Sequence, residues 1–199
     1  MPLDFKEATE WRRSIYGICD ESTITAEEIM DIVEHSTKHV PSAFNCQSQR
    51  VAVLFGEKHL EFWGIVMETL RNRILADEFR PTENRINGFA AGCGTLLFYD
   101  DTSVTKGLME KFSPYRDSIP AWAEQANGML QFAIWAQLEA AGLGASLQHY
   151  NPIIDNEVRN AFLIPSDWRL IAQMPFGVPT EDPIEKNFEP IERRVIVIE

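Results

Sequence analysis

The chain has 199 residues, with 30 acidic and 18 basic side chains, so its formal net charge at pH 7 is −12. Hydrophobic residues make up 45% of the sequence and charged residues 24%, which is typical of a globular protein able to bury one sizeable core. The acidic balance argues against non-specific binding of nucleic acid and against attachment to a membrane through basic residues.

The N-terminal half predicts alternating helices and strands. A helix should begin after Thr25, because its hydroxyl is followed three residues later by the carboxylate of Glu28, as in a capping box. Pro41 should stop that helix. The β-branched run 50–55 predicts a buried strand, after which a second helix follows, and the apolar run 94–99 predicts a second core strand.

The C-terminal half contains the longest predicted helix, over 120–141. Its apolar residues lie on more than one face, which predicts that it is buried inside the molecule. A short helix over 155–162 and a strand over 170–174 follow. The tail 181–192 is rich in proline and charge and leads into a β-prone end at 193–198. Ordering such a tail on a lone subunit would be costly, so we expect it to wrap around a partner chain in an obligate dimer.

These elements predict a mixed α+β protein in which no linker or repeat divides the chain. We therefore expect a single domain over residues 1–199. The three cysteines lie far apart in the sequence, which argues against a disulfide framework, a zinc site or a redox dithiol. No apolar run approaches the ~20 residues that span a bilayer, and the acidic N-terminus is unlike a signal peptide. We expect a cytoplasmic protein without a bound metal.

Three polar segments could carry binding chemistry. The sequence has no Gly-x-Ser-x-Gly elbow, phosphate-binding loop or paired-histidine metal helix. The first polar segment, Arg12-Arg13-Ser14, offers two guanidinium groups and a hydroxyl that suit a phosphate dianion, or it is a solvated basic pair. The second, 41–50, could present amides and hydroxyls to a planar heterocycle, or it is an ordinary polar turn. The third, 147–152, follows the long helix and could present backbone N–H groups, or it is a connector.

Taken together and in this order, the segments resemble the nitroreductase family of FMN flavoproteins. The shared pattern is an Arg-Arg-Ser start, a Pro-Ser-x-x-Asn-x-Gln loop about thirty residues later, an Ala-Ala-Gly-Leu-Gly helix end and a C-terminal basic pair. The Leu-Gln-His-Tyr-Asn-Pro run at 147–152 is similar to one subgroup, which contains the fungal fatty-acid-repression regulators and a copper-induced bacterial nitroreductase. The resemblance covers nearly the whole chain.

The resemblance implies an α+β fold with a central, mostly antiparallel sheet flanked by helices. It also implies an intertwined homodimer with two FMN molecules at the interface, each touched by both subunits. The FMN phosphate and ribityl chain would be held by Arg12, Arg13 and Ser14, joined by Arg193 or Arg194 from the tail. The isoalloxazine ring and ribityl chain would be lined by a loop of the other subunit: Pro41, Ser42, Ala43, Asn45 and Gln47. The flavin N5 edge would face the backbone of Gln148 and His149.

The resemblance also implies the chemistry, in which the flavin acts and no side chain is assigned a catalytic role. NADH or NADPH would reduce FMN by hydride transfer to N5 and leave before a nitroaromatic or quinone binds, giving a ping-pong reaction. Phe44, Phe89 or Tyr150 could form a wall on which such aromatic acceptors stack. Two alternatives stay open: a flavin-binding regulator that responds to redox state or lipid with little turnover, and an acidic scaffold without cofactor.

Overall fold

The structure is a computed structural model and describes residues 4–199. Its helices and strands follow one another in this order: α1 (Phe5–Trp11), β1 (Ile18–Cys19), α2 (Ala26–His39), β2 (Gln49–Phe55), α3 (Gly56–Arg71), α4 (Arg80–Ala90), β3 (Gly94–Asp101), α5 (Thr102–Lys111), α6 (Ile119–Ala140), β4 (Gly144–Ala145), α7 (Asp155–Phe162) and β5 (Trp168–Pro179). Short 3₁₀ turns lie at 43–45, 113–115 and 191–193. Within this part of the chain, no helix is long and apolar enough to cross a membrane.

The strands form one sheet in the order β1-β5-β3-β2, with β4 also paired to β5. Every pairing between these strands is antiparallel. In the β2–β3 pair, the register runs from Gln49 opposite Asp100 to Phe55 opposite Gly94. Among residues 4–199, strand β2 pairs only with β3, so its outer edge carries backbone groups that these residues leave unpaired. The predicted α+β class with a central antiparallel sheet is confirmed.

The central strand β3 separates two apolar layers. Its residues alternate between the faces of the sheet: Leu96 and Phe98 pack with α2 and α6, whereas Leu97 and Tyr99 pack with α3, α4 and α7. All eight residues of β3 are buried, because helices cover both faces of the sheet. This arrangement fixes α6 across the sheet, and α6 in turn positions the polar segments described below.

Most of the predicted elements are present, and their bounds follow local signals. The capping box of α2 forms as expected, with Thr25 and Glu28 each accepting a hydrogen bond from the other's backbone N–H. The helix at 155–162 has the predicted bounds, and the strand predicted at 170–174 extends over the whole of β5. Helices α1, α4 and α5 were not predicted. Strand β2 is half-buried and lies at the edge of the sheet, so the prediction of a buried core strand was wrong there.

Helix α6 is only partly buried within one chain. Its inner face contacts the sheet, but Gly128 and Met129 are exposed on the opposite face. Phe132, on the same side, is covered only in part by Phe5 of α1, in an edge-to-face contact at 6.5 Å between ring centroids. The prediction of an entirely interior helix therefore does not hold for the single chain.

The C-terminal tail makes its last regular contacts soon after β5. The N–H of Thr180 donates to the carbonyl of Gly17 at 2.9 Å, and the N–H of Gly17 donates to Glu181 Oε1 at 2.9 Å. All residues from 181 to 199 are exposed, and the β-prone end 193–198 forms no strand in the single chain. A strand requires a hydrogen-bonded neighbour, and the tail has none within residues 4–199.

His59 at the start of α3 is buried as a neutral side chain. Its Nε2 lies 3.1 Å from the carbonyl oxygen of Ala90, which only accepts, so Nε2 carries the proton. Nδ1 then accepts from the hydroxyl of Thr95 at 2.8 Å, and the same hydroxyl oxygen accepts from Trp63 Nε1 at 2.9 Å. Burial lowers the pKa of His59 below its usual value.

His59 should make the fold less stable in mild acid. The unfolded chain gains a proton at this histidine below about pH 6.5, which the folded chain resists, so the free energy of unfolding falls as the pH drops. Between pH 7.5 and 5.5, urea denaturation should show a loss about 1 kcal/mol larger for the natural chain than for His59→Gln. Exposed histidines contribute equally to both proteins. Equal losses in both would contradict a neutral, buried His59.

Candidate functional site

Arg12 lies at the end of α1 and packs against α6. Its guanidinium carbon sits 4.3 Å from the ring centroid of Trp135, a cation–π contact that holds the side chain beside the carboxyl-terminal half of α6. Partial burial lowers the pKa of Arg12, and the carboxylate of Glu139 opposes that shift. Arg12 is therefore a preorganised cation on a rigid helix surface.

Glu139 stands behind Arg12 as a half-buried carboxylate. Burial raises its pKa, whereas the backbone of Arg13 and the charge of Arg12 lower it. Its Oε2 atom is buried without a hydrogen-bond partner among residues 4–199. This carboxylate partly compensates the positive charge from the protein side and leaves the outward N–H groups of the guanidinium available.

The segment Arg12–Ser14 borders an open cavity of about 380 Å³ that is lined on the other side by the tail. The cavity is lined by Arg12, Arg13, Ser14, Tyr16, Ile184, Glu185, Lys186 and Asn187. Arg13 Nη2 donates to the carbonyl of Ile184, which fastens the tail here. Gly17 lies close by and lets the tail approach, because a Cβ atom there would lie 2.6 Å from Glu181 Cγ and would displace that side chain.

Lys186 is a cavity residue that the sequence analysis missed. It is the first basic residue after β5, in a tail otherwise acidic up to Arg193. Together the cavity residues carry two guanidinium groups, an ammonium and the hydroxyls of Ser14 and Tyr16, against one carboxylate from Glu185. In a chain of net charge −12, this donor set suits a phosphate dianion.

Arg193 and Arg194 lie further along the tail than this cavity. Both are exposed, and Arg193 forms an ion pair with Glu189 at 3.7 Å. The tail residues that line the cavity end at Asn187. The single chain therefore does not bring the predicted basic pair to Arg12–Ser14.

The segment around Gln148 lies near the arginine segment. Gly142, with φ of +84°, ends α6 and turns the chain into β4. Ser14 forms a parallel bridge with Ala145 of β4, and the N–H of Ile15 donates to the Ala145 carbonyl at 3.0 Å. Gln148 follows Ala145 by three residue steps, roughly 10 Å of extended chain. The structure thus brings the first and third polar segments together, with His149 exposed.

The loop 41–47 has an unusual backbone. Phe44, Asn45 and Gln47 all have φ near +53°, in the left-handed region that residues other than glycine seldom adopt. The N–H of Gln47 donates to Ser42 Oγ at 2.9 Å, and Gln49 Nε2 donates to the Pro41 carbonyl at 3.4 Å. Such conformations cost about 1–3 kcal/mol each and concentrate at functional sites.

The left-handed backbone of this loop places the Phe44 side chain against a group of aromatic residues. Phe44 is 51% exposed and stacks on Phe112, with ring centroids 4.2 Å apart and planes within 6°. Tyr115 and Trp122 complete the group at 6.1 and 6.2 Å. Pro41, Asn45 and Gln47 of the same loop are exposed, and Ser42 and Ala43 are half-buried.

One chain does not unite this loop with the arginine segment. Arg12 contacts Trp135 of α6, whereas Phe44 contacts Trp122 of the same helix. The thirteen residues between these contacts correspond to roughly 20 Å along the helix. Each chain therefore carries two separate groups of predicted site residues, one near each end of α6.

The chain is similar to nitroreductases over most of its length. A model of the nitroreductase family matches residues 9–178. A putative nitroreductase of Saccharomyces cerevisiae, HBN1, is 35% identical over 179 residues, 89% of each chain. Nitroreductase CinD from Lactococcus lactis, solved in complex with chloramphenicol, has a TM-score of 0.90 and 34% identity over 98% of this chain and 100% of its own. CinD has also been solved in complex with 4-nitrophenol, with a TM-score of 0.89 and 34% identity over the same shares.

A more distant structure shares the fold alone. It is a putative nitroreductase from Desulfovibrio desulfuricans, solved in complex with FMN, with a TM-score of 0.71 and 16% identity over 100% of this chain and 99% of its own. The family match, the 35% identical relative and the antiparallel α+β fold agree with one another. The chain belongs to the nitroreductase family.

Proposed function

We propose that this chain is an FMN-dependent NAD(P)H oxidoreductase that reduces nitroaromatics, quinones or both by ping-pong hydride transfer. The proposed enzyme is a single domain over residues 1–199 that acts as a homodimer. Three free cysteines support a reducing, cytoplasmic location, where nicotinamide donors are also found. The family membership supports the oxidoreductase class, and the cavity at Arg12–Ser14 supports the cofactor.

The observation that carries the proposal is the donor set of this cavity. Arg12, Arg13, Ser14 and Lys186 offer charge-assisted hydrogen bonds to a phosphate group, and Ser14 at the cavity forms a bridge with Ala145, three positions before Gln148. We assign the FMN phosphate to Arg12, Arg13, Ser14 and Lys186. We assign the flavin N5 edge to Gln148 and His149. A protein with the same fold has been solved in complex with FMN, which supports FMN as the cofactor.

Two subunits are needed to complete the proposed site. The loop 41–47 lies roughly 20 Å from Arg12 along α6, so a partner chain is the natural source of the ring-lining residues Pro41, Ser42, Ala43, Asn45 and Gln47. The exposed strip of α6 at Met129 and the exposed apolar tail supply surfaces for that partner. The open edge of β2 supplies backbone groups with which an extended tail segment could pair.

When bound, FMN would supply the redox chemistry by accepting hydride from NADH or NADPH and passing it to the acceptor. The chain's own residues would bind the FMN, orient it and shield it from solvent. Phe44 and the aromatic residues around it support a wall for flat, electron-poor rings, and the 4-nitrophenol complex of CinD agrees with this acceptor class. Phe89 is buried in the core and is excluded from such a wall. Tyr150 is half-buried against Trp63, with ring centroids 6.0 Å apart.

The visible spectrum of the purified protein tests the proposal. The protein, incubated with FMN and freed of excess, should show flavin absorption that is bleached anaerobically by NADH or NADPH. The oxidised spectrum should return when a nitroaromatic or quinone is added. Protein that takes up no FMN would contradict the proposal outright. Bound flavin that neither donor bleaches would contradict the enzymatic part and favour the regulatory alternative.

Lys186→Gln is expected to weaken FMN binding by about tenfold to a hundredfold, because it removes one charge-assisted contact with the phosphate. The matched variants Arg193→Gln and Arg194→Gln remove the same charge at the positions that the family resemblance suggests. Titration of flavin fluorescence measures all three. A larger loss in Arg193→Gln or Arg194→Gln than in Lys186→Gln would show that the basic pair, rather than Lys186, is the cation of the tail that holds the phosphate.

A further inference from the structure

Gln173 is a fully buried amide in the middle of β5 whose hydrogen bonds all go to one short segment. Its backbone N–H donates to the Gln148 carbonyl at 2.9 Å, and its carbonyl accepts from the Gln148 N–H at 2.7 Å. Its side-chain Oε1 accepts from the Tyr150 N–H at 2.8 Å, and Nε2 donates to Asn151 Oδ1 at 3.1 Å. One residue therefore makes four hydrogen bonds to 148–151.

These four bonds decide which backbone N–H group of the segment faces outward. The N–H groups of Gln148 and Tyr150 both donate to Gln173. Neighbouring peptide groups of extended chain point to opposite sides, so the intervening N–H of His149 points away from β5. His149 is exposed, and no hydrogen bond found within residues 4–199 uses its N–H. His149 thus offers the free donor, and Gln148 does not.

We propose that Gln173 is the positioning residue that holds the His149 N–H toward the flavin N5 edge, an inference that rests on the proposed function. The family resemblance implies that the backbone of both Gln148 and His149 lies at this edge. The Gln148 N–H already donates to Gln173 in the sheet. The His149 N–H is therefore the donor that remains for N5. A donor held in a fixed direction withdraws electron density from N5 and favours hydride addition, because no reorientation is needed during the reaction.

Residue-resolved amide exchange by NMR tests the arrangement without any turnover. In FMN-free protein, the Gln148 and Tyr150 amides should exchange slowly and the His149 amide quickly. Added FMN should slow exchange at His149 selectively. In Gln173→Met, which keeps the side-chain length but removes both polar atoms, exchange at Tyr150 should accelerate at least about tenfold. Slow exchange at His149 before FMN is added, or unchanged exchange at Tyr150 in the variant, would overturn the inference.

The midpoint potential of the bound flavin and its rate of reduction provide a second test. Gln173→Met should retain FMN but show a more negative midpoint potential and about tenfold slower reduction by the nicotinamide donor, the effect of misaligning one hydrogen bond. Gln173→Glu, which can still accept from Tyr150, should keep Tyr150 protected and provides a second variant if Gln173→Met fails to fold.

A matched control separates positioning from mere loss of stability. Asn127 is also fully buried, donating to the Tyr99 carbonyl at 2.9 Å and accepting from Gln131 at 2.7 Å. Asn127→Leu should lower the denaturation midpoint by a similar amount yet leave the flavin potential and His149 exchange unchanged. An equal shift of potential in Asn127→Leu would overturn the positioning role. If the natural protein takes up no FMN, the proposed function fails, and the exchange rates in FMN-free protein still test the role of Gln173.

Discussion

Arg12→Ala is expected to reduce the affinity for FMN at least a hundredfold while leaving the α+β fold intact. A guanidinium that binds phosphate with two N–H groups makes two charge-assisted hydrogen bonds, each contributing about 1.5–3 kcal/mol. Their combined loss of roughly 3–6 kcal/mol corresponds to a factor of a hundred or more in the dissociation constant. Arg12 is also held in place by Trp135, so little entropy is lost when it binds.

Glu139 complicates the interpretation of that variant and supplies its control. Without Arg12, the half-buried carboxylate loses a positive neighbour, so its pKa rises further and some stability is lost at pH 7. The double variant Arg12→Ala with Glu139→Gln removes this unpaired charge. It should recover stability and still fail to retain FMN.

The measurement is flavin fluorescence titration together with thermal denaturation of the FMN-free proteins. Arg73→Ala is the matched control, since Arg73 is an exposed arginine at the end of α3, outside the cavity. It should bind FMN like the natural chain. Equal FMN affinity in Arg12→Ala and Arg73→Ala would remove Arg12 from the phosphate site and with it the main support for the proposal.

The sequence predicts best those elements whose ends carry local signals. Thr25, Glu28 and Pro41 define α2 because a capping box and a proline act within a few residues. The same rule applies to α1, because Asp4 and Glu7 form a second capping box. Both residues are local signals in the sequence, although α1 was not predicted. Helix α4 buries only Ile86 and Phe89, too few apolar residues to give a clear helical period.

The arrangement of the site depends on contacts that have no local signal. Arg13 and Ile184 are 171 residues apart in sequence, and their hydrogen bond brings Lys186 to the cavity. Nothing near Lys186 in the sequence distinguishes it from a solvated lysine in an acidic tail. The left-handed backbone at Phe44 and Gln47 is equally hidden, since neither residue type favours that conformation. The family resemblance predicts which residue types form the site. The distances between these residues follow only from the folded chain.

The tail is expected to control both assembly and cofactor binding, and two truncations separate these roles. A chain ending at Thr180 loses Lys186 and the whole tail, so it should be monomeric and retain no FMN. A chain ending at Asn187 keeps Lys186 and the contact between Arg13 and Ile184. It loses residues 188–199, which include the β-prone end, so dimerisation should fail while the phosphate-binding cavity stays in place.

The reason lies in the apolar side chains that the single chain leaves exposed. Seven large hydrophobic residues of the tail are more than half exposed: Ile184, Phe188, Ile191, Val195, Ile196, Val197 and Ile198. Burying each against a partner contributes about 1.5–3 kcal/mol. The truncation at Asn187 removes all of these residues except Ile184. Even if only half of each is buried in the dimer, losing these six weakens dimerisation by roughly 4.5 kcal/mol or more, a factor above about a thousand.

Light scattering coupled to size exclusion at micromolar concentration measures the assembly, and flavin fluorescence measures the cofactor. The substitution Ile196→Asp in the full chain gives the matched control, since it places a charge in the β-prone end without shortening the tail. It should weaken the dimer as the Asn187 truncation does, because a carboxylate is poorly tolerated in an apolar interface. A stable dimer from the chain ending at Asn187 would place the interface elsewhere, most directly on the exposed strip of α6 at Met129. A folded monomer that binds FMN from the chain ending at Thr180 would refute both the role of the tail and the need for two subunits.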